Sequence, residues 1–460
     1  MSTRQDGAPS PDIDGYADLV GWIAAGEKPP SGWLIGTEHE KFAFHTDTQS
    51  PVPYEGPRGI RALMEALIAR YGWEPILEGA NIIALKRPHG EGSETISLEP
   101  GGQFELSGAP VHSLHETRDE TNRHLAEVLD VGEDLGIGFL GLGFSPKWTL
   151  AETPRMPKQR YGVMTRYMPQ VGAGGLEMMY RTCTIQVNLD FADEADMVKK
   201  LRVSLALQPI ATALFAASPF TEGKPNGFKS LRSEVWRDTD RQRTGLLPFA
   251  FEPGMGYQRY VDYALDVPMY FVYRDGRYID VAGASFRDFM AGRLPQLPGQ
   301  LPTIDDWSDH LTTLFPEVRL KRFLEMRGAD GGRWRRICAL PAYWVGLLYD
   351  PTALDAAWDL VKDWSAEERD GLRNGVPRLG FDTPFRKSRA LDIARETVAI
   401  ARAGLAVRAR NDGAGRNETI YLEPLEESVA SGHTPADDLL ARYETSWNRR
   451  IEPIFTEQSF

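Results

Sequence analysis

A chain of 460 residues, 42% of them hydrophobic, can bury a substantial core, and having only two cysteines, Cys183 and Cys338, excludes the disulfide framework of a small secreted protein. The balance of 52 Lys+Arg against 65 Asp+Glu gives a formal net charge of -13, which excludes gripping nucleic acid or anionic lipid through net charge. No apolar run is long enough to span a bilayer and the N-terminus lacks a signal-peptide core, so a cytoplasmic location with no membrane partner is expected.

Residues 1–12 are expected to form a disordered lead before one catalytic domain, 13–460. In residues 34–44, period-two alternation puts Leu34, Glu38, Glu40, Phe42 and Phe44 on one strand face. Two carboxylates beside phenylalanines are hard to leave wet and costly to bury alone, so metal or arginine partners are expected; the alternative is a strand whose glutamates face solvent. Ile60, Leu63, Met64, Leu67, Ile68 and Tyr71 share a helical face that Gly72 ends. Strands are expected at residues 82–85, 94–99 and 103–106, with Pro100-Gly101-Gly102 making a turn that Glu99 and Glu105 flank. Ser113 and Glu116 have capping-box spacing at the head of a helix running toward Gly136.

Residues 136–141 match G-x-G-x-x-G, but they follow a helix and lead into Gly143 and Pro146, so a glycine-rich strand is expected instead of a dinucleotide site. The strand at 182–191 alternates cleanly, with Thr182, Thr184, Gln186, Asn188 and Asp190 opposite Cys183, Ile185, Val187, Leu189 and Phe191. Its polar side suits a pocket floor or solvent, and Cys183 reads as a small core residue. Residues 193–207 are helical, with Pro209 expected to kink or restart the helix. The stretch 221–227 lacks the P-loop pattern, and 294–302 is a Pro-rich loop. If 323–330 is extended, Phe323, Glu325 and Arg327 share a face, which fits an anion binder beside an anion and equally an ordinary salt-bridged strand. From about residue 349 the pattern is mostly helical, with helix starts at Ser365 and Thr434. The fold class is α+β with a largely antiparallel sheet, because strands and helices mix without a βαβ beat. Clustered Glu and Gln with few histidines favour Mg²⁺ over zinc.

Six blocks together resemble the plant-type glutamate-cysteine ligases over nearly the whole chain: Gly36-Thr-Glu-His-Glu-Lys-Phe42, Leu98-Glu-Pro-Gly-Gly-Gln-Phe-Glu-Leu-Ser-Gly108, Met156-Pro-Lys-Gln-Arg-Tyr161, residues 181–191, residues 218–227 and Leu324-Glu-Met-Arg-Gly-Ala-Asp-Gly331. The resemblance implies a glutamine-synthetase-like carboxylate-amine ligase architecture, an antiparallel sheet wrapped by helices. It also implies an enzyme that uses ATP and Mg²⁺ to join glutamate to cysteine through γ-glutamyl phosphate, acting as a monomer or homodimer in glutathione synthesis. Carried over by position, Glu38, Glu40, Glu99, Glu105 and Glu325, with Gln186, resemble the metal-binding wall. Arg327 resembles the arginine that meets the transferred phosphate, Arg160 and Arg232 the pair anchoring glutamate, and Tyr270 a residue near the cysteine-side pocket. On that reading Glu325→Gln weakens Mg²⁺ dependence with little loss of folding. Arg118, Val281 and Gln296 stand where plant members carry regulatory cysteines, so no thiol switch is expected; without a plastid-type leader, a bacterial cytoplasmic enzyme is expected. The alternatives are a related ligase with another amine acceptor and a non-catalytic metabolite-binding protein on the same scaffold.

Overall fold

The computed structural model describes residues 10–90 and 92–460. Of the expected disordered lead, 1–12, the first nine residues lie outside that range. Its last three are held: Ile304 N donates to Pro11 O at 3.0 Å, Asp305 N donates to Ser10 Oγ at 3.1 Å, and Asp12 bridges Thr303.

Nine strands form the principal sheet: β1 (Ile35–His45), β2 (Glu74–Glu78), β3 (Asn81–His89), β4 (Gly92–Leu98), β5 (Gln103–Ser107), β6 (Ile137–Leu140), β7 (Thr184–Leu189), β8 (Val318–Leu320) and β9 (Leu324–Asp330). Their order is β8-β9-β7-β1-β5-β4-β3-β2, with β6 pairing the second half of β1, and every pairing is antiparallel. Register decides what gathers. Glu40 lies opposite Glu105, Glu38 opposite Gln186, and Glu325 opposite both Asn188 and Arg319. Directly opposed residues project to the same side of a sheet, so one face collects acids, amides and arginine from five strands.

The opposite face is apolar. Ile185, Val187 and Leu189 of β7 and Leu324 and Met326 of β9 are buried with residues of the helices Glu194–Phe215 and Trp334–Leu348. Burying this face against two helices is the main driving force for the sheet, at about 25 cal/mol per Å² of apolar surface. The expected break at Pro209 does not occur, and the helix runs unbroken from Glu194 to Phe215. Every residue from Val203 to Phe215 is buried, so packing on all sides outweighs the roughly 3 kcal/mol that a mid-helix proline costs.

The other expected helices form with their caps. Gly72 (φ 71°) ends Ile60–Tyr71 in the left-handed conformation, Ser113 and Glu116 cap Leu114–Leu135, and the boxes Ser365/Glu368 and Thr434/Asp437 open Ala366–Leu379 and Pro435–Glu444. Within residues 136–141, Ile137–Leu140 form β6, not a nucleotide loop. One hairpin, Phe271–Arg274 with Arg277–Asp280, was not anticipated. Its signal was present: Asp275-Gly276 at the bend takes φ of 49° and 76°, the pair of left-handed residues that a two-residue hairpin turn demands. No helix among the described residues is long and apolar enough to cross a membrane.

Candidate active site

On the polar face of the sheet lies an open cavity lined by Glu38, Glu40, Glu99, Glu105 and Gln186 together with Arg160, Arg232, Arg319 and Arg327. Glu99 arrives from the turn joining β4 to β5. That turn closes with Gly102 N donating to Glu99 O at 2.9 Å and Glu99 N to Gln103 O at 3.0 Å. Gly102 takes φ 83°, and a Cβ on Gly101 would sit 2.2 Å from Tyr180 O, so neither position accepts a side chain.

Glu40, Glu99 and Glu105 each offer an oxygen within 4.8 Å of the other two. Their hydrogen bonds come from neutral donors: Thr184 N to Glu40 at 2.8 Å, Ser97 Oγ to Glu105 at 2.8 Å, and Asn188 Nδ2 to the neighbouring Glu38 at 2.9 Å. Among the described residues, no lysine or arginine pairs with any of these four carboxylates within 4 Å. Burial, followed by the charge of neighbouring carboxylates, holds Glu40 well above the usual range and pushes Glu99 up to about 8. Burial acts in the same direction on Glu105, but charges nearby and hydrogen bonds from the Ser97 hydroxyl and Glu99 oppose it, and the Glu105 carboxyl lies below the usual range. Such a site can take a cation, and its all-oxygen donors fit a hard one such as Mg²⁺.

A pH signature follows. Folding raises the Glu99 carboxyl from 4.5 to about 8, so the folded chain binds a proton that the unfolded chain has released. This contribution to stability is complete at low pH and is lost as pH rises through that window. Between about pH 6 and about pH 9 the metal-free protein should therefore lose more melting temperature than metal-free Glu99→Gln does, and saturating Mg²⁺ should remove that excess. A pH dependence that Mg²⁺ leaves untouched would place the titration elsewhere.

Glu325 is arranged differently. It is 0% exposed and does not line the cavity. Arg319 grips it with two hydrogen bonds, of 2.8 and 2.9 Å, Lys321 Nζ lies at 3.3 Å, and Arg327 Nη1 bonds it directly. Burial alone would raise this carboxyl, but the three cations hold it well below the usual range. Arg327 also donates to Gln186 Oε1 at 2.6 Å, so it is fixed between β7 and β9 with its face toward the cavity.

Of the residues expected to form a site, the structure gathers Glu38, Glu40, Glu99, Glu105, Gln186, Arg160, Arg232 and Arg327 around one cavity. Glu325 sits behind the wall, its charge already matched by cations. Tyr270 is also behind it, 1% exposed, with the Arg243 guanidinium 3.9 Å over its ring and its hydroxyl on Met168 Sδ at 3.4 Å; the adjacent Phe271 is the residue at the wall. Arg319, Trp236, Phe315 and the methionines 164, 178 and 179 were not anticipated. No local pattern marks Arg319, whereas Tyr161, whose hydroxyl donates to Leu98 O at 2.6 Å, belongs to the segment Met156–Tyr161 beside Arg160.

A family model described as Glutamate-cysteine ligase family 2 matches residues 34–457. The chloroplastic glutamate-cysteine ligase B of Oryza sativa subsp. japonica is 56% identical over 440 residues, covering 96% of this chain and 86% of the rice protein. The chloroplastic enzyme of Nicotiana tabacum is 57% identical over 96% of this chain and 82% of its own length. Among solved structures, the glutamate-cysteine ligase of Francisella tularensis in complex with AMP superposes with a TM-score of 0.54 at 13% identity, covering 93% of this chain and 87% of that one, a likeness of fold. The expected cytoplasmic location does not stand, since relatives at this level of identity are chloroplastic proteins.

Proposed function

The chain belongs to glutamate-cysteine ligase family 2, and from that membership we propose that it joins the γ-carboxylate of glutamate to the amine of cysteine, with cleavage of ATP to ADP and phosphate, the first step of glutathione synthesis. The observation that carries this reading is the triad of carboxylates, Glu40, Glu99 and Glu105, sharing one cavity lining with four arginines.

On this reading Glu38, Glu40, Glu99 and Glu105, with Gln186, hold Mg²⁺, which when bound neutralises crowded phosphate and carboxylate oxygens. Arg160 and Arg232, both buried at the cavity wall, anchor the glutamate substrate. Arg327 presents a permanently charged, planar donor set to the phosphoryl group in transfer. Glu325 orients Arg327 and Arg319, and Tyr270 backs Phe271 in the acceptor-side wall. A γ-carboxylate oxygen of glutamate attacks the γ-phosphorus, ADP departs, and the acyl phosphate forms. The cysteine nitrogen then attacks the acyl carbon, the C–O bond to phosphate breaks, and the amine proton is released.

Arg160→Ala and Arg232→Ala are each expected to raise the glutamate KM at least ~10-fold while leaving the ATP KM within about twofold. Initial rates against each substrate check this, and an equal effect on both constants would contradict the assignment. The function itself is tested by ADP release with glutamate, ATP and Mg²⁺ in the presence of cysteine, 2-aminobutyrate or glycine, with product mass. The reading requires a γ-linked product with cysteine; ADP release only with another amine, or none at all, would overturn it.

A further inference from the structure

Asp330 lies three residues beyond Arg327 on β9, is 1% exposed, and is wedged so tightly that a Cβ on Gly143 would sit 2.3 Å from its carboxyl carbon. It does not itself line the cavity. Its Oδ2 accepts from Ser218 Oγ at 2.6 Å and from Ala217 N at 2.8 Å, and its Oδ1 accepts from Ser230 Oγ at 2.7 Å. The same two serines serve the short helix Leu231–Trp236, which carries Arg232 and Trp236 to the cavity. Ser218 Oγ accepts from Arg232 N at 3.2 Å and Ser230 Oγ from Ser233 N at 3.1 Å.

The polarity of these bonds matters. A carboxylate can only accept, so both serines must give it their single hydroxyl proton, and each then has only lone pairs to offer the helix amides. The far end of Arg232 is held by the same strand, with Nη2 donating to Arg327 O at 2.9 Å. Burial works against the charge on Arg232, and Asp330 opposes that effect ahead of Glu40.

The geometry points to Asp330 as a positioning residue for glutamate binding: through Ser218 and Ser230 it fixes the start of helix Leu231–Trp236 and so sets the Arg232 guanidinium in the cavity. This rests on reading Arg232 as a glutamate anchor. Asp330→Asn keeps the shape but places an NH₂ where an acceptor was needed, so one serine loses the acceptor for its hydroxyl proton, and the buried cap it makes is disturbed.

The test measures glutamate KM, ATP KM and thermal unfolding for Asp330→Asn, Ser230→Ala, Arg232→Ala and the double variant Asp330→Asn/Arg232→Ala. Asp330→Asn and Ser230→Ala should raise the glutamate KM about tenfold and about fivefold with the ATP KM within about twofold, and Asp330→Asn should add nothing once Arg232 is gone. If Asp330→Asn fails to fold, Ser230→Ala carries the same comparison in the Arg232→Ala background. A raised glutamate KM for Arg232→Ala but not for the other single variants, or effects that multiply in the double variant, would overturn the positioning role alone. An unchanged glutamate KM for Arg232→Ala would overturn the anchor and, with it, the route through which Asp330 is held to act.

Discussion

Glu40→Gln is expected to lower kcat by about 10³-fold, to raise the Mg²⁺ requirement by at least ~10-fold, and to leave the fold intact. Glu40 stands at the centre of the acidic face, opposite Glu105 in the sheet and with an oxygen within 4.8 Å of both Glu99 and Glu105. In a metal ion's absence this carboxylate has a hydrogen bond from the Thr184 backbone amide and the repulsion of its neighbours, and burial keeps it well above the ordinary range. A glutamine keeps the contact with the Thr184 amide and is neutral where the surroundings disfavour charge, so metal-free Glu40→Gln should melt no lower than the parent protein. What it loses is a charged ligand for a hard cation, and with it the field that offsets charge on the transferring phosphoryl group. Mg²⁺ titrations of turnover and of melting temperature check both halves. A variant with parental turnover at every Mg²⁺ concentration would remove Glu40 from the metal site.

Glu325→Gln should behave in the opposite manner, destabilising the protein by about 3–5 kcal/mol as well as lowering turnover. Sequence position alone suggested a metal ligand whose loss the fold would tolerate. The structure instead shows a fully buried carboxylate under Arg319, Lys321 and Arg327, and removing its charge strands three cations on one side of β9. Arg327 then loses the partner that sets its orientation, so turnover falls with stability. The double change Glu325→Met/Arg319→Met removes one of the three cations with the carboxylate and should recover part of the stability but none of the activity. Urea unfolding with parallel rate measurements checks this; an unchanged midpoint for Glu325→Gln would contradict the burial argument.

The contrast between these two glutamates shows how far the sequence could be read. Period-two alternation placed Glu38 and Glu40 on one face of β1, and the turn at Pro100-Gly101-Gly102 placed Glu99 beside β5, because both patterns are local. The pairing of Glu40 with Glu105 depends on register between strands some sixty residues apart, and that of Glu325 with Arg319 on the hairpin formed by β8 and β9; neither has a periodic signature. Tyr270 and Phe271 exchange roles for a similar reason. Which of two adjacent aromatics faces the cavity is decided by the Arg243 guanidinium stacked on Tyr270, a contact across 27 residues. Pro209 fails as a helix breaker because packing supplies what local propensity withholds. The location within the cell was misjudged from composition and the first residues, which carry little physical information about destination.

The central claim is that acids and arginines on one sheet face activate the γ-carboxylate of glutamate by phosphorylation before any amine attacks. Glutamate labelled with ¹⁸O in its γ-carboxylate, turned over with ATP, Mg²⁺ and cysteine, tests it directly, because the oxygen that bonds to phosphorus must leave with it. Mass analysis of the released phosphate should find one labelled oxygen per molecule, and phosphate free of label would contradict the account.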